Sequence, residues 1–155
     1  MSSFSSSSSS SYDLAIRSLS FIGKQNEPLY FYYSNDSEET KAQDQGTIFS
    51  SLDMLEENLS RQRQALYLGH ITNGEDSKVY GYCSNTMIKI IVLASPDLPS
   101  TSSEAMRELC TNLYTKYVEV MKNPFQDING VINSNKFNET IHKLVVRFNE
   151  QNNHK

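Results

Sequence analysis

The sequence contains few cysteines, and neither of them belongs to a disulfide or zinc pattern. Cys83 and Cys110 are the only two in 155 residues, each lies in an apolar stretch, and no C-x-x-C spacing occurs. Disulfide-rich secreted domains and zinc modules need more cysteines at defined spacings. We therefore expect two buried thiols in a reducing compartment, with no disulfide framework and no metal site.

Basic residues are also scarce relative to acidic ones. The chain has 14 lysines and arginines against 18 aspartates and glutamates, which gives a formal net charge of -4. Proteins that bind a nucleic-acid backbone or an anionic membrane without specificity need a basic surplus. The charge balance therefore argues against a nucleic-acid partner.

Long hydrophobic runs are missing as well. The longest run, residues 88–94, contains Lys89 and is far shorter than the roughly 20 residues that span a bilayer. The opening MSSFSSSSSSS has neither the basic nor the apolar region of a signal peptide, and serine cannot bury enough apolar area to offset the entropy of ordering. We predict a disordered tail over residues 1–12, one domain over residues 13–150, and a soluble cytosolic protein without an integral membrane segment.

Catalytic motifs are absent from the sequence. No G-x-S-x-G, P-loop or G-x-G-x-x-G pattern occurs, and the histidines share no metal-ligand spacing: His70, His142 and His154. The acidic cluster of Asp53, Glu56 and Glu57 is more typical of a solvated helix face than of paired catalytic carboxylates. The sequence therefore predicts a protein that is not an enzyme and needs no cofactor.

The N-terminal half contains a strand hairpin followed by a helix. Residues 14–23 and residues 28–34 have strand character, and a short polar turn separates them. The polar segment NDSEETKAQDQG, residues 35–46, predicts an exposed loop. The period of Ile48, Leu52, Leu55 and Leu59 then predicts a helix that begins either at a Ser50 and Asp53 capping pair or one turn earlier at Thr47.

Three further strands follow in the middle of the chain. The first opens at Tyr67, and KVYGYCS and MIKIIVLA continue a meander whose last strand is apolar enough to be central. Strand tyrosines suit packing on a half-buried sheet, although an aromatic interface is a second possibility: Tyr30, Tyr32, Tyr33, Tyr67, Tyr80 and Tyr82.

Two helices complete the chain. The sequence Thr101-Ser102-Ser103-Glu104 matches the pattern of a capping box. Apolar residues then repeat at helical spacing as far as Met121, which predicts the first of these helices. Pro124 must stop this helix near Asn123, and Ser134 caps the next helix. The order ββαβββαα predicts an α+β domain with a five-stranded antiparallel sheet that is covered by helices on both faces.

The tripeptide Asn123-Pro124-Phe125 has two interpretations. It can be an accessible binding motif for other proteins, or a structural joint that connects the last two helices. We favour the joint, with Phe125 packed back on the helix pair, because Pro124 follows directly after the last apolar turn of the preceding helix.

The ordered motifs resemble a known family. IGKQNEPLYF, SSLDMLEENL, LYLGHI, KVYGYCSNTMIKIIVL, YVEVMKNPF and INSNKFNETI come in the order typical of the subunit-2-like branch of the TRAPP complex, the paralogue of sedlin, over residues 14–148. The resemblance implies a longin-like α/β sandwich with one helix on one sheet face and two on the other. It also implies a non-catalytic adaptor of a vesicle-tethering complex that activates Rab GTPases, peripheral at Golgi and ER-Golgi membranes, with other TRAPP subunits as partners.

The resemblance also carries over to single residues. Asp53 matches the family's acidic position on the first helix, and we take it with Glu57 as the candidate partner interface; a helix cap is the alternative role of Asp53. Asn123, Pro124 and Phe125 match the family's N-P-F, whereas Gln126 stands where the family often has tyrosine and the following DINGV lacks a proline. The serine tail is foreign to the family pattern.

Two other functions fit a sheet with flanking helices. A small-molecule or lipid sensor would place polar residues at core positions, as Ser18 and Ser20 do in the first strand. A vesicle-fusion longin protein would need a coiled coil and a membrane anchor after the domain, and it ranks last because the sequence ends soon after the third helix.

Overall fold

A computed structural model describes residues 15–35, 37–61, 66–99, 102–126 and 130–152. Strands β1 (Ile16–Ile22) and β2 (Pro28–Tyr33) precede helix α1 (Glu38–Arg61), and strands β3 (Tyr67–Asn73), β4 (Lys78–Cys83) and β5 (Lys89–Ala94) precede helices α2 (Ser103–Met121) and α3 (Asn135–Asn152). The predicted order is confirmed. The predicted tail over residues 1–12 lies outside the described residues.

The five strands form one antiparallel sheet in the order β2-β1-β5-β4-β3. Strand β5 is at the centre and all of its residues are buried, which confirms the central strand that its apolar sequence predicted. Helix α1 covers one face of the sheet, and α2 and α3 cover the other, as the resemblance implied. The α+β fold class is therefore confirmed.

The core beneath α2 and α3 is built around an aromatic cluster. The ring of Phe21 lies 6.0 Å from the ring of Tyr30, 5.8 Å from that of Tyr117 and 5.6 Å from that of Phe137, measured between centroids. Tyr30, Tyr32, Tyr80 and Tyr82 belong to the same core, so the predicted packing of strand tyrosines on the sheet is confirmed for these four. Cys110 is also buried in this core, and burial raises the pKa of its thiol to about 12.

The core beneath α1 is smaller, and the helix lies close to the sheet. Ile48, Leu52 and Leu55 pack with buried side chains of β1, β3, β4 and β5. A Cβ atom at Gly81 would lie 3.3 Å from Cδ1 of Leu55, so glycine at this position allows the close approach.

The first half of α1 corrects a prediction from the sequence. Residues 35–46 were expected to form an exposed loop, but the helix begins at Glu38. Glutamate, lysine, alanine and glutamine are good helix formers even without an apolar stripe, and acidic Glu38 and Glu39 interact favourably with the helix dipole at its N-terminus. The Ser50 and Asp53 capping pair is therefore also wrong, because both residues lie inside the helix, where the Ser50 hydroxyl donates to the Thr47 carbonyl.

The ends of α2 and α3 mostly agree with the sequence. Helix α2 ends at Met121, as Pro124 requires, and the backbone N–H of Phe137 donates to Oγ of Ser134 at 3.2 Å, which confirms the cap of α3. The capping box is wrong, because Ser102 is the N-cap and its hydroxyl makes no capping hydrogen bond. This hydroxyl donates instead to the side chain of Asn152 at 3.3 Å. Thr101 lies outside the described residues.

Candidate partner interface

Helix α1 has an outer surface that faces away from the sheet. Its buried stripe faces the sheet, and Asp53 and Glu57 lie one turn apart on the exposed side. Asp53 comes about four turns after the first residue of the helix, so it cannot cap the helix. Two roles remain for Asp53, an interface residue or an acid on a solvated helix face.

The two carboxylates of this surface differ in their surroundings. Glu57 accepts a hydrogen bond from Nη2 of Arg61 at 2.7 Å, an exposed pair four residues apart that contributes about 0.3 to 0.5 kcal/mol to helix stability. Within the described part of the chain, no hydrogen bond or ion pair engages the carboxylate of Asp53. Asp53 therefore keeps its full capacity to accept hydrogen bonds from another molecule.

Partly exposed apolar side chains flank Asp53. Phe49 lies one turn before it and is 41% exposed, and Met54 is 39% exposed. We call the four residues Phe49, Asp53, Met54 and Glu57 the α1 surface. Phe49 and Met54 were not predicted from the sequence, although large apolar residues outside the buried stripe of an amphipathic helix are a signal that identifies such positions.

Phe49 also connects the α1 surface to the edge of the sheet. Its ring meets the ring of Phe31 on β2 edge to face at 6.1 Å, and the ring of Phe31 stacks on that of Tyr33 at 5.9 Å. The hydroxyl of Tyr33 accepts a hydrogen bond from Nε2 of Gln45 at 2.7 Å. An aromatic strip therefore extends from the edge strand to the helix surface and holds Phe49 in place.

A partly buried ion pair fixes the orientation of α1. Nη2 of Arg17 on β1 lies 3.0 Å from Oδ1 of Asp44, and Nη1 of Arg17 donates to the carbonyl of Asp76 at 3.0 Å. One guanidinium group thus ties β1, α1 and the β3–β4 turn together. Burial raises the pKa of the Asp44 carboxyl, and the charge of Arg17 opposes this rise only in part.

A buried lysine fixes the β1–β2 turn beside the α1 surface. Lys89 is 2% exposed, and its ammonium donates to the carbonyls of Gly23 and Lys24 at 3.3 and 3.4 Å and to Oδ1 of Asn26 at 2.7 Å. Asn26 has a φ of 63°, and its Nδ2 donates to Oε1 of Glu56 at 3.3 Å. The turn is thereby bound both to the centre of the sheet and to α1.

The turn at residues 123–126 contradicts the predicted packing of Phe125, whose side chain is 95% exposed. The space between the end of α2 and the start of α3 is a groove of about 280 Å³ with charged side chains in its lining, among them Lys116, Glu119 and Lys136. Val120 and Phe137 line the same groove, so its lining is mixed in polarity, and Phe125 is not among its lining residues.

Ile132 forms the joint that was expected of Phe125. Its side chain is 4% exposed and belongs to the core beneath α2 and α3. Its backbone N–H donates to the carbonyl of Leu29 on the edge strand at 2.8 Å. The segment between the two helices is therefore anchored seven residues after Phe125.

The remaining sequence candidates lie apart from the α1 surface. His70 and His142 are exposed and hydrogen-bonded to Asn73 and Tyr32, and His154 is outside the described residues. Ser18 and Ser20, which motivated the sensor alternative, are fully buried in the sheet. Among the described residues no set of three or more His, Cys, Asp or Glu side chains is placed to hold a metal ion.

None of the described helices combines the length and the apolar composition that crossing a membrane demands.

Comparison with known proteins shows similarity along most of the chain. A family model described as sedlin matches residues 21–147. The trafficking protein particle complex subunit 2-like protein of Xenopus tropicalis is 31% identical over 131 residues, which cover 81% of this chain and 93% of that protein. The proteins of the same name from Dictyostelium discoideum and Rattus norvegicus are 30% and 29% identical, over 82% and 83% of this chain and 94% and 96% of their own lengths.

Proposed function

Because the chain belongs to the sedlin family, we propose that it is a non-catalytic adaptor subunit of the TRAPP vesicle-tethering complex. The relatives carry the name of a subunit of this complex, and the similarity covers nearly their whole length. In this role the chain joins the core of small subunits to a larger peripheral subunit.

The proposal extends to the place where the complex works. As part of the assembly that activates Rab GTPases, the protein serves ER-Golgi, intra-Golgi and endosome-Golgi traffic from the cytoplasmic side. Its contact with Golgi and ER-Golgi membranes is peripheral and runs through the other subunits. Exchange activity belongs to those other subunits, and Rab GTPases are indirect partners of this chain.

The observation that carries the adaptor role is the α1 surface. It combines the carboxylate of Asp53, which no described residue engages, with the partly exposed Phe49 and Met54, whereas the opposite side of the helix packs into the core. Apolar and aromatic groups supply the binding energy of most protein interfaces, and a charged group among them fixes the register of the partner.

The expected partner has complementary chemistry. A lysine or arginine opposite Asp53 would pair with the carboxylate, and an apolar rim would cover Phe49 and Met54. Truncation of one side of a desolvated charged pair costs about 2 to 5 kcal/mol of binding. Loss of Asp53 should therefore be enough to release the partner.

The test is affinity purification of the tagged full-length chain with identification of the bound subunits. Wild type is expected to retain TRAPP subunits, and Asp53→Tyr is expected to lose at least one of them at an unchanged melting temperature. Asp97→Tyr is the matched control, because Asp97 is an exposed acid in the β5–α2 connection. Retention of every subunit by a folded Asp53→Tyr chain would remove the α1 surface from the account, and a wild-type chain without TRAPP subunits would remove the adaptor role.

A further inference from the structure

The geometry points to residues 123–126 as a docking motif: we propose that this turn inserts Phe125 into a phenyl-sized apolar pocket of a separate folded protein module. The proposal does not depend on the adaptor role, since α1 and the helices that flank this turn lie on opposite faces of the sheet. Both surfaces can be occupied at the same time.

The backbone of the turn is held in one conformation before any partner binds. The N–H of Gln126 donates to the carbonyl of Asn123 at 3.0 Å, and the N–H of Phe125 donates to Oδ1 of Asn123 at 3.0 Å. Pro124 lies between Asn123 and Phe125, and its ring fixes its φ angle. Because the turn is already ordered, a partner that binds it loses little conformational entropy.

The exposure of Phe125 has no explanation in the packing of its own chain. At 95% it is the most exposed large apolar side chain among the described residues, followed by Val131 at 67% in the same connection. Asn123 and Pro124 are exposed as well. Three adjacent side chains of different chemistry are thus available to one partner: a carboxamide, a proline ring and a phenyl ring.

The size of this patch selects the type of partner. A stable interface with a second copy of the chain needs at least about 1,000 Å² of buried surface, whereas a phenylalanine buries roughly 200 Å². The groove beside the turn is lined in part by the charged side chains of Lys116, Glu119 and Lys136, which a phenyl ring from a second copy would have to desolvate. A small module with a pocket for the Phe125 ring buries most of the apolar surface that the turn exposes.

The probe for the test is a purified EH domain, a helical module with one pocket for an Asn-Pro-Phe turn. It is titrated into the folded full-length chain by calorimetry. We expect a dissociation constant below about 1 mM for the wild type and a loss of at least about tenfold for Phe125→Ala. Phe49→Ala is the matched control, since it removes another partly exposed phenylalanine and should leave the affinity unchanged.

Two further measurements separate this proposal from the others. Pro124→Ala keeps the phenyl ring but loosens the turn, and it should weaken binding less than Phe125→Ala does. Phe125→Ala should still co-purify with every TRAPP subunit that the wild type retains. Absence of binding by the wild type at 1 mM probe, or equal binding by Phe125→Ala, would overturn the docking motif and leave the adaptor role untouched.

Discussion

Nη2 of Arg17 and Oδ1 of Asp44 lie 3.0 Å apart, and this pair joins the first strand to the first half of α1. The carboxylate is nearly buried, with 4% of its side chain exposed, whereas Arg17 keeps 22%. The pair is the main polar link between the sheet and a stretch of helix that buries little apolar surface.

Arg17→Ala is expected to destabilise the protein by about 3 kcal/mol at neutral pH. The substitution leaves the Asp44 carboxylate buried beside α1 without its cation, which costs more than the loss of an exposed pair. Urea unfolding followed by circular dichroism measures the change. Arg147→Ala, on the exposed side of α3, is the control and should change stability by about 0.5 kcal/mol or less.

Asp44 should also give the fold a measurable pH dependence. Burial raises its pKa in the folded state, so the stability that the protonated carboxyl contributes is complete below the unfolded value, about 3.9, and is lost as the pH rises through the folded value. Asparagine cannot ionise, so Asp44→Asn does not lose this contribution. The free energy of unfolding of the variant should therefore rise relative to that of the wild type between about pH 3 and about pH 6. A difference that stays constant over this range would contradict the raised pKa.

Lys89→Met should destabilise the protein by about 2 to 3 kcal/mol. Methionine keeps most of the buried aliphatic volume but removes the ammonium that donates to Gly23, Lys24 and Asn26, and hydrogen bonds to charged groups contribute about 1.5 to 3 kcal/mol. Differential scanning calorimetry should show a lower melting temperature. Lys143→Met, at an exposed position, is the control and should leave the melting temperature unchanged. Equal melting temperatures for Lys89→Met and the wild type would mean that Lys89 does not hold the turn.

Phe125→Ala should leave stability within about 0.5 kcal/mol of the wild type, because the side chain that it removes is 95% exposed. Phe137→Ala removes the same side chain from a site that is 3% exposed, and it should cost about 3 to 5 kcal/mol. Chemical denaturation of both variants measures their free energies of unfolding. A large loss for Phe125→Ala would show that the phenyl ring packs on the protein in solution.

The sequence was informative wherever burial follows an apolar pattern. Helices α2 and α3 were predicted because apolar residues repeat along them at helical spacing, and strand β5 was predicted to be central because it is apolar at almost every position. The exposure of Asp53 follows from the stripe of Ile48, Leu52 and Leu55. The first half of α1 has no such stripe. Asp44, the buried residue that precedes the stripe, is held by a cation 27 positions earlier in the chain, and no local pattern reveals that contact.

The connection between α2 and α3 shows a different limit of sequence analysis. Pro124 correctly predicted where α2 ends, but the local sequence does not determine in which direction an apolar side chain near a helix end points. Phe125 and Ile132 are both apolar and lie in the same connection, and only Ile132 is buried. The choice between them depends on contacts of the folded chain, such as the hydrogen bond that the backbone N–H of Ile132 donates to the carbonyl of Leu29.

The central claim is that the α1 surface contacts another TRAPP subunit, and photo-crosslinking tests it most directly. A photoreactive amino acid replaces Met54 on the α1 surface or, as the control, Glu108 on the exposed side of α2. After irradiation of the purified complex, position 54 should form a covalent product with a TRAPP subunit and position 108 should not. Crosslinking from position 108 with none from position 54 would contradict the account.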